Sequence, residues 1–455
     1  MIEFFSGGVY NHFVSLQHQS EGERIKEKKK KSIGYRDVLG QKEYCKMILA
    51  SLINRFGDSI DAIAFTWIVY ELTGNAVWSA VIFGANNVPS VLVTPLAGVW
   101  VEGRNKKRIM VVTDLIRGIC VALIATFYLT GILQAWMLLA STLIISTAEA
   151  FRGPANTALT PRLLKREYYE YGLSLHSTLS QVMQLIGMAA AGVIIGVIGV
   201  SGAIYIDMAT FFASAGIILL VNTKEQKTEK VRFDRKGYME NLKAGFGYVK
   251  KRKKLCFMIG ICVFLNVLVV PVNSLQAPLA SEVLGGGAEI LSILGVALTL
   301  GMIAGSAIYP AVQKRLSEKM IFFVSGMAVG VFYLGLIVCQ PLYREKWFMY
   351  GWVTVLSVLF GVFVSQSISL ANVALIKYVE EKYLARVGGI TSAISMASMP
   401  VTSFLVSAVV GYTGTKWIFV IMGVISLLGG VFIAGSRALD EEEPQNMGEV
   451  PAAEA

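Results

Sequence analysis

The chain has 455 residues, 55% hydrophobic and 16% charged, with a mean hydropathy of +0.59, more apolar material than a water-soluble fold of this length carries. The composition is that of an integral membrane protein. A net charge of +10 would suit a nucleic-acid binder, but topology accounts for it better, because the basic residues fall in alternate loops.

Residues 1–42 are the first predicted element. MIEFFSGGVYNHFVSLQHQ is too short and too polar to span, and the basic IKEKKKK follows it, whereas in a signal peptide the charge comes first. A disordered basic extension is expected. Lys26 to Lys31 either touch anionic lipid headgroups, at about 1 kcal/mol per charge, or act as a topology-setting flank.

Long apolar runs follow, each of roughly the 20 residues a helix needs to cross about 30 Å of hydrocarbon; the short alternating segments of a β-barrel are absent. Twelve spans are predicted at 47–70, 77–101, 109–130, 135–151, 173–198, 202–221, 255–279, 289–311, 320–339, 348–371, 387–410 and 416–435. Residues 222–254, with 12 Lys/Arg against 4 Asp/Glu, read as a solvated cytoplasmic linker between six-helix bundles at 43–221 and 255–436. Residues 437–455 form an acidic tail expected to be disordered. The expected fold class is an all-α membrane protein of twelve transmembrane helices in two pseudo-symmetric six-helix bundles.

Of the 41 Lys/Arg, 36 lie in one alternating set of segments; the other set holds only Arg344, Lys346 and Lys416. Basic residues are retained in cytoplasmic loops, so both termini are expected in the cytoplasm of a cell whose membrane the chain crosses. Arg55 and Arg117 are the two cations left inside spans. Five cysteines show no CxxC spacing, three histidines form no ligand cluster, and no GxSxG, HExxH, P-loop or GxGxxG sits in a soluble context. Nothing points to an enzyme, a metal or a cofactor.

A charge at the bilayer centre costs about 3 kcal/mol even on the lenient insertion scale, so embedded polar groups are the places to look for function. The first span opens NRFGDSIDAIAF. At 100° per residue Asn54, Asp58, Asp61 and Phe65 share a stripe about 60° wide, with Arg55 to one side. Two carboxylates one turn apart in a low dielectric resist double ionisation while Arg55 holds one of them charged, an arrangement that can load and release a proton. The alternative is structural: Arg55 and Asp58 pair at i,i+3 and Asp61 bonds a neighbouring helix.

Further along, Asp114 with Arg117 and Glu149 with Arg152 stand at i,i+3, so both pairs are expected to close within their own helices as structural or gating ion pairs. Asp207, near the outer end of the sixth span, is expected to be solvated at the interface. Gln181, Gln184, Asn266, Asn273 and Gln276 are candidate cavity residues, with interhelical hydrogen bonding as the other reading. Gly192 with Gly196, and Gly301 with Gly305, have the GxxxG spacing of close helix contacts. Pro89, Pro95, Pro271, Pro278 and Pro400 mark kinks.

Six spans, a basic linker and six spans, with PLAGVWVEGRNKKRIM after the second, resemble the major facilitator superfamily. Gly98, Glu102 and the cluster Lys106, Lys107 and Arg108 fill its loop motif. DSIDAIAFTWIVYELTGN, DLIRG, EAFRGPANTALTPRLLKRE, IYIDMATFF and LARVGGITSA are similar to the branch of macrolide-efflux proteins and enterobactin exporters, over about Lys46 to Arg437. The resemblance implies the major facilitator fold and proton-driven export, by antiport, of an amphipathic small molecule (drug, macrolide or siderophore-like) from a site between the bundles; since twelve spans can form a complete permeation path in one chain, a monomer is expected. It also makes Glu102 a candidate latch, with Lys106 to Arg108, between the bundles on the cytoplasmic side. A lysophospholipid carrier of the same fold is the alternative.

Overall fold

The computed structural model describes residues 35–102, 104–223, 246–250 and 252–436. Residues 1–34, most of the linker and the acidic tail lie outside the described residues. Every described element is helical.

Part of the expected extension is ordered: α1 (Tyr35–Leu39) buries Val38, and the Tyr35 ring meets Tyr171 edge-on. Two apolar anchors are enough to hold a single turn against its neighbour. Helix α2 (Lys42–Thr73) ends where Gly74 adopts φ 57°, and the Asn75 side chain then caps α3 (Ala76–Leu92) by accepting from Val77 N at 2.9 Å. The second crossing is bent by 42° between α3 and α4 (Thr94–Glu102). Pro89 and Pro95 flank that break, as expected of residues that remove ladder donors.

Helices α5 (Lys106–Leu129) and α6 (Ala135–Leu163) form an antiparallel pair about the turn at Gly131, where φ is 72°. Helix α7 (Tyr169–Leu219) is continuous in hydrogen bonding except at Gly199, whose φ of 77° and ψ of 173° are not helical. The chain reverses there. Gly187, before the break, packs on Phe56 and Ser59, while Asp207 and Thr210, after it, pack on Gly57, so both arms flank one turn of α2. The second half comprises α8 (Lys253–Ser274), a helical turn and π-helical segment over 276–283, α9 (Ala288–Gln313), α10 (Glu318–Val338), α11 (Lys346–Tyr378), α12 (Glu381–Thr413) and α13 (Thr415–Gly435).

Eight of these helices are long and apolar enough to cross a membrane, and the bent pair α3–α4 makes a ninth. Counting the two arms of α7 separately, and adding α2 and α6, whose apolar runs are interrupted by charge, gives an arrangement consistent with twelve crossings. The fold is the expected all-α membrane architecture.

Packing divides along the chain. Helix α2 packs on both arms of α7, α5 packs on α6 and α7, and α3 on α6; in the second half α9 packs on α11, and α10 on α13 and α11. Gly301, Gly305 and Gly361 make the α9–α11 contact possible, since a Cβ at Gly301 would run into the Val358 backbone and one at Gly305 into Val362 and Ser365. Of the other GxxxG pair, Gly192 meets Ser292 of α9, whereas Gly196 faces open space.

The halves meet through α3 on α12 and α7 on α9. Ser403 Oγ donates to Ala80 O at 2.6 Å, Phe404 lies on Gly84, and Tyr70 Oη donates to Glu282 at 2.8 Å. These contacts lie toward the end of the bundle opposite the basic loops. At the basic end, Lys254 and Lys377 reach Glu318 at 3.8 and 3.4 Å, and Arg252 reaches Glu380 at 2.7 Å, all within the second half. Tyr248, from the expected solvated linker, is buried beside Tyr383.

Candidate functional site

The polar face of α2 is buried by α5, α6 and α7, and its charges pair across helices. Asp114 of α5, fully buried, accepts from Arg152 Nε of α6 at 2.5 Å, from Ser214 Oγ of α7 at 2.7 Å and from Asn54 Nδ2 of α2 at 3.2 Å. One turn along, the buried Arg117 spans two helices: Nη1 reaches Glu149 of α6 and Nη2 reaches Asp58 of α2, both at 2.7 Å. Its guanidinium also lies 4.2 Å from the Phe211 ring centre.

These bonds correct the expected local pairs. Asp114 does not pair with Arg117, nor Glu149 with Arg152; the partners are exchanged between α5 and α6. In an antiparallel pair, residues equidistant from the turn lie level. Asp114 and Arg152 are each 19 residues from Leu133, and Arg117 and Glu149 are each 16. Two level ion pairs join two helices, and each removes a charge from hydrocarbon without leaving the other unpaired.

Arg55 likewise does not hold Asp58. Its Nη2 donates to Gln184 Oε1 of α7 at 2.6 Å, so Gln184 is an interhelical partner, as the alternative reading had it. Asn54 is buried on Asp114 and takes no part in a cavity wall.

Asp207 was expected at a solvated interface and is instead 1% exposed. Oδ1 accepts from the Thr210 hydroxyl at 3.2 Å, Oδ2 has no hydrogen-bond partner, and its charged neighbours are Asp61, Asp58 and Arg117. Gly57 is what admits it: a Cβ there would occupy the space of Asp207 Oδ1 and Thr210 Oγ1. One oxygen of Asp61 is also buried without a partner. Thus, among the described residues, Asp61 and Asp207 have as their cationic neighbour the same guanidinium that Asp58 and Glu149 bond directly. In a low dielectric, a surplus of carboxylates over cations is an arrangement able to accept a proton or a cationic guest.

The cluster borders a cavity of about 350 Å³ between the halves. Asp58, Asp61 and Arg117 form its charged wall, Phe65, Ile82 and Phe83 its apolar one, and Asn273, Gln276 and Leu291 close it from the second half. Of the five amide candidates, Asn273 and Gln276 line this space; Gln181 and Asn266 do not. Sequence reasoning missed Asn86, which also lines the cavity and accepts from Ser146 Oγ. Asn86 and Asn87 are adjacent in the apolar run of α3, and the sequence alone does not say which of the two faces a cavity.

The loop motif is tied inside the first half in this conformation. Lys106, buried, donates to Glu102 O at 2.7 Å. Lys107 donates to Leu219 O and Val221 O at 2.8 and 2.7 Å, satisfying carbonyls that the end of α7 leaves open. The Glu102 carboxylate is exposed, and Arg108 faces outward, away from the second half. No group of three or more His, Cys, Asp or Glu among the described residues is placed to hold a metal ion.

Comparison with known proteins agrees with this architecture. Residues 38–451 match the family model described as transmembrane secretion effector. The chain is 22% identical over 319 residues to macrolide efflux protein A of Enterococcus faecalis, covering 69% of this chain and 95% of that one. It is 26% identical over 301 residues to the staphyloferrin A transporter of Staphylococcus aureus, covering 63% and 72%. Among solved structures, the nucleoside transporter NupG superposes with a TM-score of 0.69 at 12% identity, over 88% of this chain and all of NupG; at that identity the likeness is one of fold.

Proposed function

The chain belongs to the transmembrane secretion effector family of the major facilitator superfamily, and from that premise we propose that it exports an amphipathic small molecule in exchange for protons, by alternating access. It is a multi-pass membrane transporter and not an enzyme. The observation that carries the proposal is the group of three carboxylates around Arg117: Asp58 and Asp61 line a cavity between the halves, and Asp207 is buried behind them.

In the proposed cycle, a proton arriving on Asp58 weakens its bond to Arg117 and leaves that guanidinium to Glu149. Helix α2 is thereby loosened against the α5–α6 pair, which is the coupling a rocking motion needs. Contacts such as Ser403 to Ala80 and Tyr70 to Glu282 hold the halves together at the end away from the basic loops. With those loops assigned to the cytoplasm, this conformation presents its cavity inward. Asn273 and Gln276 then supply neutral hydrogen bonds, and Phe65 and Phe83 supply apolar contact.

The names of the relatives, a macrolide efflux protein and a siderophore transporter, support a drug-like or siderophore-like cargo. We place the protein in the cell membrane with both termini cytoplasmic and acting as a monomer. The test is a susceptibility panel in cells stripped of their own exporters, with and without a protonophore. Protection that the protonophore abolishes is expected. Protection that survives it rejects proton coupling, and flipping of labelled lysolipid in proteoliposomes without any protection would transfer the assignment to lipid transport.

A further inference from the structure

A cleft of about 750 Å³ lies apart from the cavity between the halves. It lies on the outer flank of the first half, between α4, α5 and α6, and none of these three helices packs on the second half. Its walls are apolar: Ile109, Val112, Ile116, Leu143, Ile144 and Phe151. Val112 and Ile144 are 46% and 48% exposed in the bare protein, so this surface faces hydrocarbon in the membrane.

The cleft has a polar end. Arg104 and Arg108 stand at its rim, on the side of the basic loops, with Trp100 beside them. The Arg104 guanidinium lies 3.8 Å from the Trp100 ring centre, and Trp100 meets Phe151 edge-on at 5.2 Å. Neither arginine pairs with a carboxylate among the described residues, although Glu102 is close in the chain. The contrast with Lys106 and Lys107, which are bound to backbone carbonyls, shows that the motif's basic residues divide between two tasks.

We propose that this cleft binds an anionic phospholipid from the leaflet on the basic side, with its phosphate between Arg104 and Arg108 and one acyl chain along the Val112–Ile116 wall. Two arguments select this occupant. Charge complementarity requires an anion at the rim, and a dry, open, apolar wall at membrane depth is filled by the bilayer itself. Arginine suits phosphate because its planar fork offers several donors at once, and stacking on Trp100 holds that fork in place. A phospholipid here would bridge α4, after the bend of the second crossing, to α5 and α6, and so brace the first half independently of the transport site.

The test uses the full chain in detergent micelles and reads quenching of Trp100 by phosphatidylglycerol carrying brominated acyl chains. Trp100→Phe supplies the baseline for the other tryptophans. Phosphatidylglycerol is expected to quench at far lower mole fraction than brominated phosphatidylcholine. The double variant Arg104→Gln, Arg108→Gln should shift half-quenching by roughly 25-fold, the loss expected for two basic side chains near an anionic surface. If that variant does not fold, the cleft-filling pair Val112→Phe, Ile144→Phe should block quenching with both arginines intact. Equal quenching by the two lipids, or undiminished quenching in both variants, overturns the proposal. Relief of quenching by millimolar inorganic phosphate at unchanged ionic strength would also overturn it, in favour of a site for a soluble anion.

Discussion

Removing Asp114 tests whether the buried charges pair across helices. Asp114→Ala leaves Arg152, whose side chain is 8% exposed, without its counter-charge, a loss of about 3–5 kcal/mol for a broken buried pair. Ser214 and Asn54 lose their acceptor as well, at about 1 kcal/mol each where no water replaces it. A total of about 5–7 kcal/mol, at roughly 2–4 °C per kcal/mol for a large domain, lowers the apparent melting temperature by about 10–30 °C. Heating in detergent followed by size-exclusion chromatography measures it. The decisive comparison is a pair of double-mutant cycles. Asp114→Asn with Arg152→Gln should recover most of the loss, with a coupling of about 2–3 kcal/mol, whereas Asp114→Asn with Arg117→Gln should be nearly additive. Stronger coupling to Arg117 than to Arg152 would show that the pairs close along α5 and would refute the cross-helix arrangement.

Gly57→Ala should lower stability by about 1–3 kcal/mol, as overpacking does, because the new Cβ displaces Thr210 and Asp207; export should fall further than stability. Gly196→Ala, which faces open space, is the control and should leave melting and export unchanged. At the basic end, outside the spans, Glu43 accepts from Asn222 N at 2.6 Å and from Lys46, and both hold its carboxylate below its ordinary value. A depressed acid stabilises the fold above its unfolded value and loses that contribution as pH falls through the folded one. The wild type should therefore lose a small increment of stability below about pH 4, and Glu43→Gln should not show that increment.

Much of this architecture is legible in the sequence. Apolar runs mark the helices, Pro89 and Pro95 bracket the bend in the second crossing, and the spacing of Gly301 and Gly305 anticipates the α9–α11 contact. The ion pairs were misread because i,i+3 spacing describes one helix alone, while the antiparallel register about Leu133 decides which charges lie level. That register was available from the short α5–α6 connection. Asp207 was hidden for a different reason: its burial depends on a glycine in another helix. Gly187 and Thr210 lie 12 and 11 residues either side of Gly199, which brings both arms of α7 to Gly57, but nothing in Asp207's own neighbourhood signals it. Arg108 belongs to the latch that the resemblance implies, but spacing along a loop does not say which flank of the bundle a side chain faces.

The central claim is that protons on the shared carboxylates drive export. Its most direct measurement is substrate uptake into everted membrane vesicles with an imposed pH gradient, comparing wild type with Asp58→Asn and Asp61→Asn. Uptake that follows the gradient in the wild type and is uncoupled from it in both variants, with each variant still folded, is the predicted result. Gradient-dependent uptake that persists in both would contradict the account.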